Sequence, residues 1–240
     1  MGIGVGPGDP ELVTVKAVRL LQEADVVVVP VMDGGGQGRA ESTVLAYIGP
    51  DRVRRAPFAL DDRSGVTAHR EQAWDAAAGL VVQAFDAGAE LVVFATIGDP
   101  NVYSTFTYLA QTVRELRPDL LTSTVPGITA MQDLAARSGT VLCEGREPLT
   151  LLPMTAGLDA FDAALAGTGT VVAYKGWRRH EEMLDVLRRH GRLDAAVIGC
   201  GLGLPGERIM PAVQLSGDRP PPYLSTVLAP ARRDLRGGKL

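Results

Sequence analysis

The sequence predicts an α/β fold. Short apolar runs rich in Val, Ile and Leu recur along the chain, and segments of helical period separate them. The runs are Asp25 to Val29, Glu90 to Ala95, Leu121 to Val125, Thr170 to Tyr174 and Ala195 to Cys200. Each has the length of a strand and none alternates with polar residues, as strands covered on both faces read. Between them, Val13, Ala17, Leu20, Leu21 and Ala24 fall on one helical face, and Val102, Phe106, Leu109, Val113 and Leu116 fall on another. Both helices are expected to be amphipathic and packed on a core.

The chain has 240 residues, 46% of them hydrophobic and 22% charged, enough for one large domain or two small ones. The stretch Arg114 to Asp119, with Pro118, ends a helix and precedes a strand. It marks the expected junction, giving domains 1–118 and 119–240. Beyond it the pattern drifts toward strands, and the runs Glu207 to Leu215 and Tyr223 to Leu228 are expected to pair as antiparallel neighbours across the turn at Pro220, Pro221 and Pro222. Met32 to Arg39 holds four glycines and no bulky apolar residue after Met32. It reads as a loop, either a tolerated surface insertion or a lid over a site at strand ends. No solenoid repeat is present.

Several function classes drop out. The longest apolar runs, Val26 to Val31 and Leu91 to Ile97, fall far short of the roughly 20 residues of a membrane-spanning helix. Residues 1 to 20 show no basic segment leading an apolar one, so no secretory signal is expected and the cytoplasm is the default. A net charge of −4 argues against a protein whose affinity comes from neutralising phosphates. Cys143 and Cys200 form no CxxC pair and are expected to be buried small residues. His69, His180 and His190 have no metal-ligand spacing, and no metal site is expected.

The amino terminus reads Gly2-Ile3-Gly4-Val5-Gly6-Pro7-Gly8-Asp9-Pro10. It fails the GxGxxG dinucleotide fingerprint, because the third glycine position falls on Asp9 or Pro7. Pro7 offers no N–H to a pyrophosphate, and Asp9 would set a negative charge against it. The segment provides a tight turn, then Asp9 as a helix N-cap and Pro10 at the first helical position. The same tripeptide recurs at Gly98-Asp99-Pro100, after an apolar run and before the helix of Val102 and Phe106. Helix capping explains either copy alone. A glycine there also lets a ligand approach the backbone, and the aspartate suits a cationic ligand or one rich in donors. A third turn, Val125-Pro126-Gly127-Ile128-Thr129-Ala130, offers a close-fitting wall of small residues and one hydroxyl.

Together these three turns resemble the signature turns of the tetrapyrrole methylases, which methylate corrin and sirohaem precursors using S-adenosylmethionine. The resemblance spans nearly the whole chain. Gly98 to Phe106, the segment Gly203-Leu204-Pro205-Gly206-Glu207-Arg208-Ile209 and the segment Pro222-Tyr223-Leu224-Ser225-Thr226-Val227 resemble, more narrowly, the branch that methylates C20 of precorrin-2 in cobalamin biosynthesis.

The resemblance implies two α/β domains with the active site in the cleft between them, a homodimer, and a cofactor bound in a folded shape. Carried over by residue, the S-adenosylmethionine site would hold Gly98, Asp99, Val102 and Tyr103, then Thr129 and Ala130. Lys175, Cys200 and Gly201 would close over the adenine, although Lys175 stands where related branches carry an apolar residue. Pro7 and Gly8 would line the substrate side. The tetrapyrrole carries several carboxylates, so arginines are expected there, with Arg39 and Arg55 as candidates beside Arg54, Arg63, Arg146 and Arg178.

The sulfonium already activates the methyl group, so the protein has mainly to align methyl, sulfur and carbon. Asp99 is then a cofactor-positioning residue, and no motif identifies a general base. Nor does any motif separate precorrin-2 from cobalt-factor II as substrate. The competing readings are a tetrapyrrole methylase acting at another ring position, or on RNA ribose, a nucleotide-binding oxidoreductase, and a non-catalytic tetrapyrrole- or cofactor-binding protein. The broken fingerprint counts against the oxidoreductase and the acidic charge against RNA.

Overall fold

The computed structural model describes residues 1–32, 36–59, 65–175, 179–215, 221–222, 224–235 and 237. Its contacts divide the chain into two compact units, Met1–Thr129 and Ala130–Leu240.

The first unit is an all-parallel sheet with helices on both faces. Its strands are β1 (Gly2–Gly4), β2 (Val26–Val31), β3 (Val53–Pro57), β4 (Val92–Thr96) and β5 (Thr124–Val125). They lie in the order β3-β2-β4-β1-β5. Helices α1 (Val15–Glu23) and α2 (Arg39–Val44) cover one face, where Ala17, Leu20, Leu21 and Val44 meet Ile3, Val27, Val29, Val93 and Ala95. Helices α3 (Ala68–Asp86) and α4 (Phe106–Leu116) cover the other, where Val81, Phe106, Leu109 and Val113 meet Val28, Phe58, Val92 and Phe94. Burial on both faces is why β2 and β4 read as unbroken apolar runs.

The second unit is a mixed sheet. Its strands are β6 (Leu149–Pro153), β7 (Thr170–Tyr174), β8 (Val197–Cys200), β9 (Arg208–Pro211) and β10 (Ser225–Ala229), in the order β6-β7-β10-β8-β9. β6 and β7 are parallel and the other pairs antiparallel. Helices α6 (Leu158–Leu165) and α7 (His180–Arg189) bury Phe161, Leu165, Met183 and Leu187 against one face. Helix α5 (Ala130–Ser138) sets Leu134 and Ala135 against Val172 and Leu228 on the other.

Several expectations are corrected. The runs after Glu207 and Tyr223 are not neighbours: β9 pairs with β8, and β10 lies between β7 and β8. The hydrogen-bonding edges of β8 are thus shared by two strands that follow it in sequence. Residues 216–220 and 223 of the expected turn region lie outside the described residues. Strands β1, β3 and β6 carry no apolar run long enough to announce them. β1 is three residues of Gly-Ile-Gly, and β3 is an edge strand whose exposed positions are Arg54, Arg55 and Pro57. The run from Leu121 narrows to β5, with Leu121 itself 98% exposed. Beyond Pro118, β5 still pairs with β1 of the first sheet. Leu116 is exposed at the end of α4. Cys143 is exposed, on a segment of coil between α5 and β6, while Cys200 is buried as expected.

Candidate active site

Strand order brings the three signature turns together. β1 lies between β4 and β5, so the chain leaves three adjacent parallel strands at Gly4, Thr96 and Val125. Carboxyl ends of parallel strands are where α/β sheets bind ligands. The turns touch backbone to backbone. Gly98 N donates to Gly6 O at 2.7 Å, and Val5 N to Thr96 O at 2.9 Å. A methyl group at Gly4 would stand 2.4 Å from Gly98 O and 2.6 Å from Gly127 N, and one at Gly127 would stand 2.1 Å from Gly98 O. Glycine is required at both positions because any side chain would occupy a neighbour's backbone. Gly98 has the left-handed φ of +70°, and its open side meets Thr129 Cα at 4.0 Å.

The two Gly-Asp-Pro turns differ. Asp9 accepts from Glu11 N at 2.9 Å and caps the single 3-10 turn Pro10–Leu12. Asp99 accepts from Asn101 N at 2.8 Å through Oδ1, and through Oδ2 from Gly127 N at 3.0 Å. It ties the second turn to the third. Asn101 Nδ2 adds a bond of 3.2 Å to Thr124 Oγ1 on β5. Pro100 does not open α4, which starts at Phe106. Ser104 Oγ instead accepts from Phe106 N at 3.1 Å and donates to Thr96 Oγ1 at 3.0 Å, fixing the start of α4 to the end of β4.

Of the other expected site residues of the first unit, Val102, Tyr103, Thr129, Pro7 and Gly8 belong to these turns, whereas Arg39 opens α2 and Arg55 stands on the edge strand β3. Val102 is half-buried, and its N donates to Asp99 O at 3.2 Å. Tyr103 is 47% exposed with φ +51°. Thr129 is buried. Pro7 and Gly8 are buried, and Gly8 O accepts from Thr43 Oγ1 of α2 at 3.3 Å. Arg39 is exposed as the first residue of α2. Arg55 is committed to Glu41, with Nη2 at 2.8 Å and Nε at 2.9 Å from its carboxylate, and that hydrogen-bonded contact raises the guanidinium pKa. Glu41 also accepts from Gly38 N at 3.2 Å. Arg54 donates to Asp51 O and Val53 O, and Arg146 is exposed. Arg63, Arg178 and residues 33–35 of the expected lid lie outside the described residues.

In the second unit, the three remaining positions sit at the carboxyl ends of β7 and β8, on either side of β10. Lys175 has φ +63°, and its N donates to Ser225 O at 3.3 Å. Cys200 is paired in register with Ser225, and burial pushes its thiol pKa up against the opposing influence of Arg208. Gly201 has φ +60°, with nothing within 4 Å of its open side among the described residues. Ala130 begins α5, and the next amide, Met131 N, donates to Tyr174 Oη at 3.1 Å. Tyr174 therefore anchors the start of α5 to the end of β7, a role that its place in an apolar run conceals. Among the described residues, three outside glycine have positive φ, and two of them are Tyr103 and Lys175. Such backbone conformations concentrate where a structure holds a ligand. No group of three or more His, Cys, Asp and Glu among the described residues is placed to hold a metal ion.

The family model for tetrapyrrole (corrin/porphyrin) methylases matches residues 1–214. The chain belongs to the tetrapyrrole methylases. This methylase is 32% identical to the cobalt-precorrin-2 C(20)-methyltransferase of Salmonella typhimurium, over 94% of its own length and 93% of that protein. It is also 32% identical to a precorrin-2 C(20)-methyltransferase of Sinorhizobium, over 98% and 96% of the two chains. Among solved structures, the uroporphyrin-III C-methyltransferase of Thermus thermophilus in complex with S-adenosylhomocysteine superposes with a TM-score of 0.63 at 23% identity, covering 95% of each chain. The methylase thus shares the fold of that enzyme.

Proposed function

We propose that this methylase is an S-adenosylmethionine-dependent C-methyltransferase acting at C20 of precorrin-2 or cobalt-factor II in cobalamin biosynthesis. One observation carries the reading: two relatives that each align over more than nine-tenths of the chain are both C(20)-methyltransferases.

The residues present suit the donor. A folded nucleoside needs close approach to backbone, and Gly98 and Gly201 both have left-handed φ and an open side. We assign Gly98, Asp99, Val102, Tyr103, Thr129, Ala130, Lys175, Cys200 and Gly201 to the donor. Those of the second unit rest on the family resemblance alone. Pro7, Gly8, Arg39 and Arg55 are assigned to the tetrapyrrole on the same ground. For Arg55 this requires the guanidinium to serve a second carboxylate besides Glu41.

The donor, when bound, would supply a methyl group already activated by its sulfonium, the S–CH3 bond breaking to leave the neutral thioether as the ring carbon bonds the methyl, with that carbon's proton lost afterwards. The chain's part is alignment. Asp99 fixes the second turn against the third by spending both carboxylate oxygens on backbone amides. It acts as a positioning group rather than as a general base. Ser104 and Thr96 hold the start of α4 beneath Val102 and Tyr103. Tyr174 holds the start of α5 at Met131, next to Ala130. The reading extends, on the resemblance alone, to a cytoplasmic homodimer whose partners are small molecules rather than nucleic acid or membrane. Among the described residues no helix is long and apolar enough to cross a membrane.

The test is anaerobic incubation with methyl-labelled S-adenosylmethionine and, in parallel, precorrin-2, cobalt-factor II and uroporphyrinogen III, with products read by mass spectrometry and NMR. One labelled methyl at C20 of either of the first two is the expected result. A methyl at another carbon, or on uroporphyrinogen III, refutes the ring position. Donor binding without transfer to any of them overturns the C20 branch and leaves the family standing.

A further inference from the structure

The segment between β8 and β9, residues 201–207, has no regular structure and carries positive φ at Gly201, Gly203 and Gly206. Its local bonds are single backbone contacts, Leu204 N to Gly201 O at 3.0 Å and Glu207 N to Leu204 O at 3.1 Å. Its start is anchored, since Gly201 N donates to Leu224 O at 2.9 Å and Leu202 is buried in one cluster with Leu134 of α5, while the glycines leave the rest with little packing of its own.

What fixes its far end is one carboxylate. Glu207 accepts from Gly203 N at 2.8 Å and, through both oxygens, from the guanidinium of Arg137, with Nη1 at 2.7 Å. Arg137 stands on the last turn of α5, and its Nη1 is also 3.8 Å from the buried Asp133 one turn earlier. The same side chain therefore closes the loop on itself and fastens it to α5. A two-pronged arginine–carboxylate contact fixes orientation as well as distance. α5 is nine residues long and begins at Ala130, so a fastening near its carboxyl end, together with Leu202 in the cluster of Leu134, sets how the loop that starts at Gly201 lies along the helix.

We propose that the Arg137–Glu207 pair is a positioning clasp for the methyl donor, holding the Gly201 loop in register with the start of α5 so that both can grip the nucleoside. This rests on the donor reading given above and adds to it two residues that do not touch the ligand themselves.

The experiment is calorimetric titration of S-adenosylmethionine into the wild-type protein, Glu207→Gln, Arg137→Ala, the double variant and Arg137→Lys, with thermal unfolding of each and steady-state kinetics. Arg188→Ala, which breaks an exposed ion pair with Asp185 on α7, serves as control. The clasp predicts a loss of donor affinity of about tenfold in each single variant, the cost of one charge-assisted contact. The double variant should be no worse than either, and Arg137→Lys should recover part of the loss. The KM for the donor should rise by a larger factor than kcat falls. Unchanged donor affinity in folded Glu207→Gln and Arg137→Ala, with only the unfolding midpoint lowered, overturns the clasp while leaving the donor reading intact. If the wild-type protein itself binds no S-adenosylmethionine, the donor reading fails and the clasp falls with it.

Discussion

The two Gly-Asp-Pro turns share a tripeptide and differ in what the aspartate holds. Asp9 serves its own turn, bonding one amide two residues on. Asp99 makes the same bond with one oxygen and reaches across 28 residues of sequence with the other, to Gly127 N. The local chemistry is identical, and the difference comes from the sheet. β4 and β5 flank β1, so the turn after β4 has a glycine loop within reach. Asp9 instead sits beside α2, where Thr43 bonds the neighbouring Gly8 O. A cap becomes a clamp when strand order supplies a second donor.

The largest effect should come from the packing beneath that clamp. Gly127→Ala would force a methyl group to 2.1 Å from Gly98 O, a backbone neighbour that can yield only by separating the turns. Overpacking of this kind costs about 3 kcal/mol, and chemical denaturation should show it together with a loss of donor binding. Gly36→Ala, with nothing within 4 Å among the described residues, is the matched control and should leave both within error. A benign Gly127→Ala would break the account of the three turns as one junction.

Truncating the aspartates should separate them next. Asp99→Ala removes one local bond, to Asn101 N, and one that joins segments distant in sequence, to Gly127 N, and Asp9→Ala removes one local cap. The expected losses are about 2–3 kcal/mol for the first and about 1 kcal/mol for the second. Equal losses in denaturation midpoint, at constant slope, would show that the second oxygen of Asp99 contributes nothing.

A carboxylate of the second unit sharpens the point, because Glu207 also accepts from a guanidinium and a backbone amide at once. The Arg137 contact first, and Gly203 N–H second, hold its pKa down from 4.5 to about 2. A carboxyl depressed in the folded state adds stability that is fully present above its unfolded value and is lost as pH falls through the folded one. The unfolding midpoint of the wild-type protein should therefore fall more steeply between pH 4.5 and pH 2 than that of Glu207→Gln. Parallel curves would mean that Glu207 gains nothing from its two partners.

How much of this could be read in advance follows from the same contrast. β2, β4 and β7 were legible because strands covered on both faces have no room for polar residues. β1 and β3 were not: one is nearly all glycine for the sake of the turns it abuts, the other an edge that spends its exposed positions on Arg54, Arg55 and Pro57. The three turns were legible as motifs, since each is a strand-to-helix junction built of Gly, Pro and a short polar residue. The link from Asp99 to Gly127 was not, and neither was Tyr174 at the start of α5, because both depend on which strands become neighbours. The antiparallel pairing expected for the last two strands failed for the same reason, with β8 taken between β9 and β10. Local chemistry is written in sequence, whereas partnership across the sheet is written in topology.

The smallest expected effect is the most discriminating. Asparagine caps a helix as well as aspartate does, and its one carbonyl oxygen is enough for the single amide at Glu11. Asp9→Asn should therefore shift stability by no more than about 0.5 kcal/mol. At Asp99 the same change leaves one acceptor for two amides and turns an NH2 group toward one of them, since an amide nitrogen donates and cannot accept. The loss should be about 1–2 kcal/mol, with donor affinity falling alongside stability, because the segment released is the one that carries Thr129. Calorimetric titration of S-adenosylmethionine and denaturation of the two asparagine variants, measured side by side, decide it. A silent Asp99→Asn would reduce the clamp to a second cap.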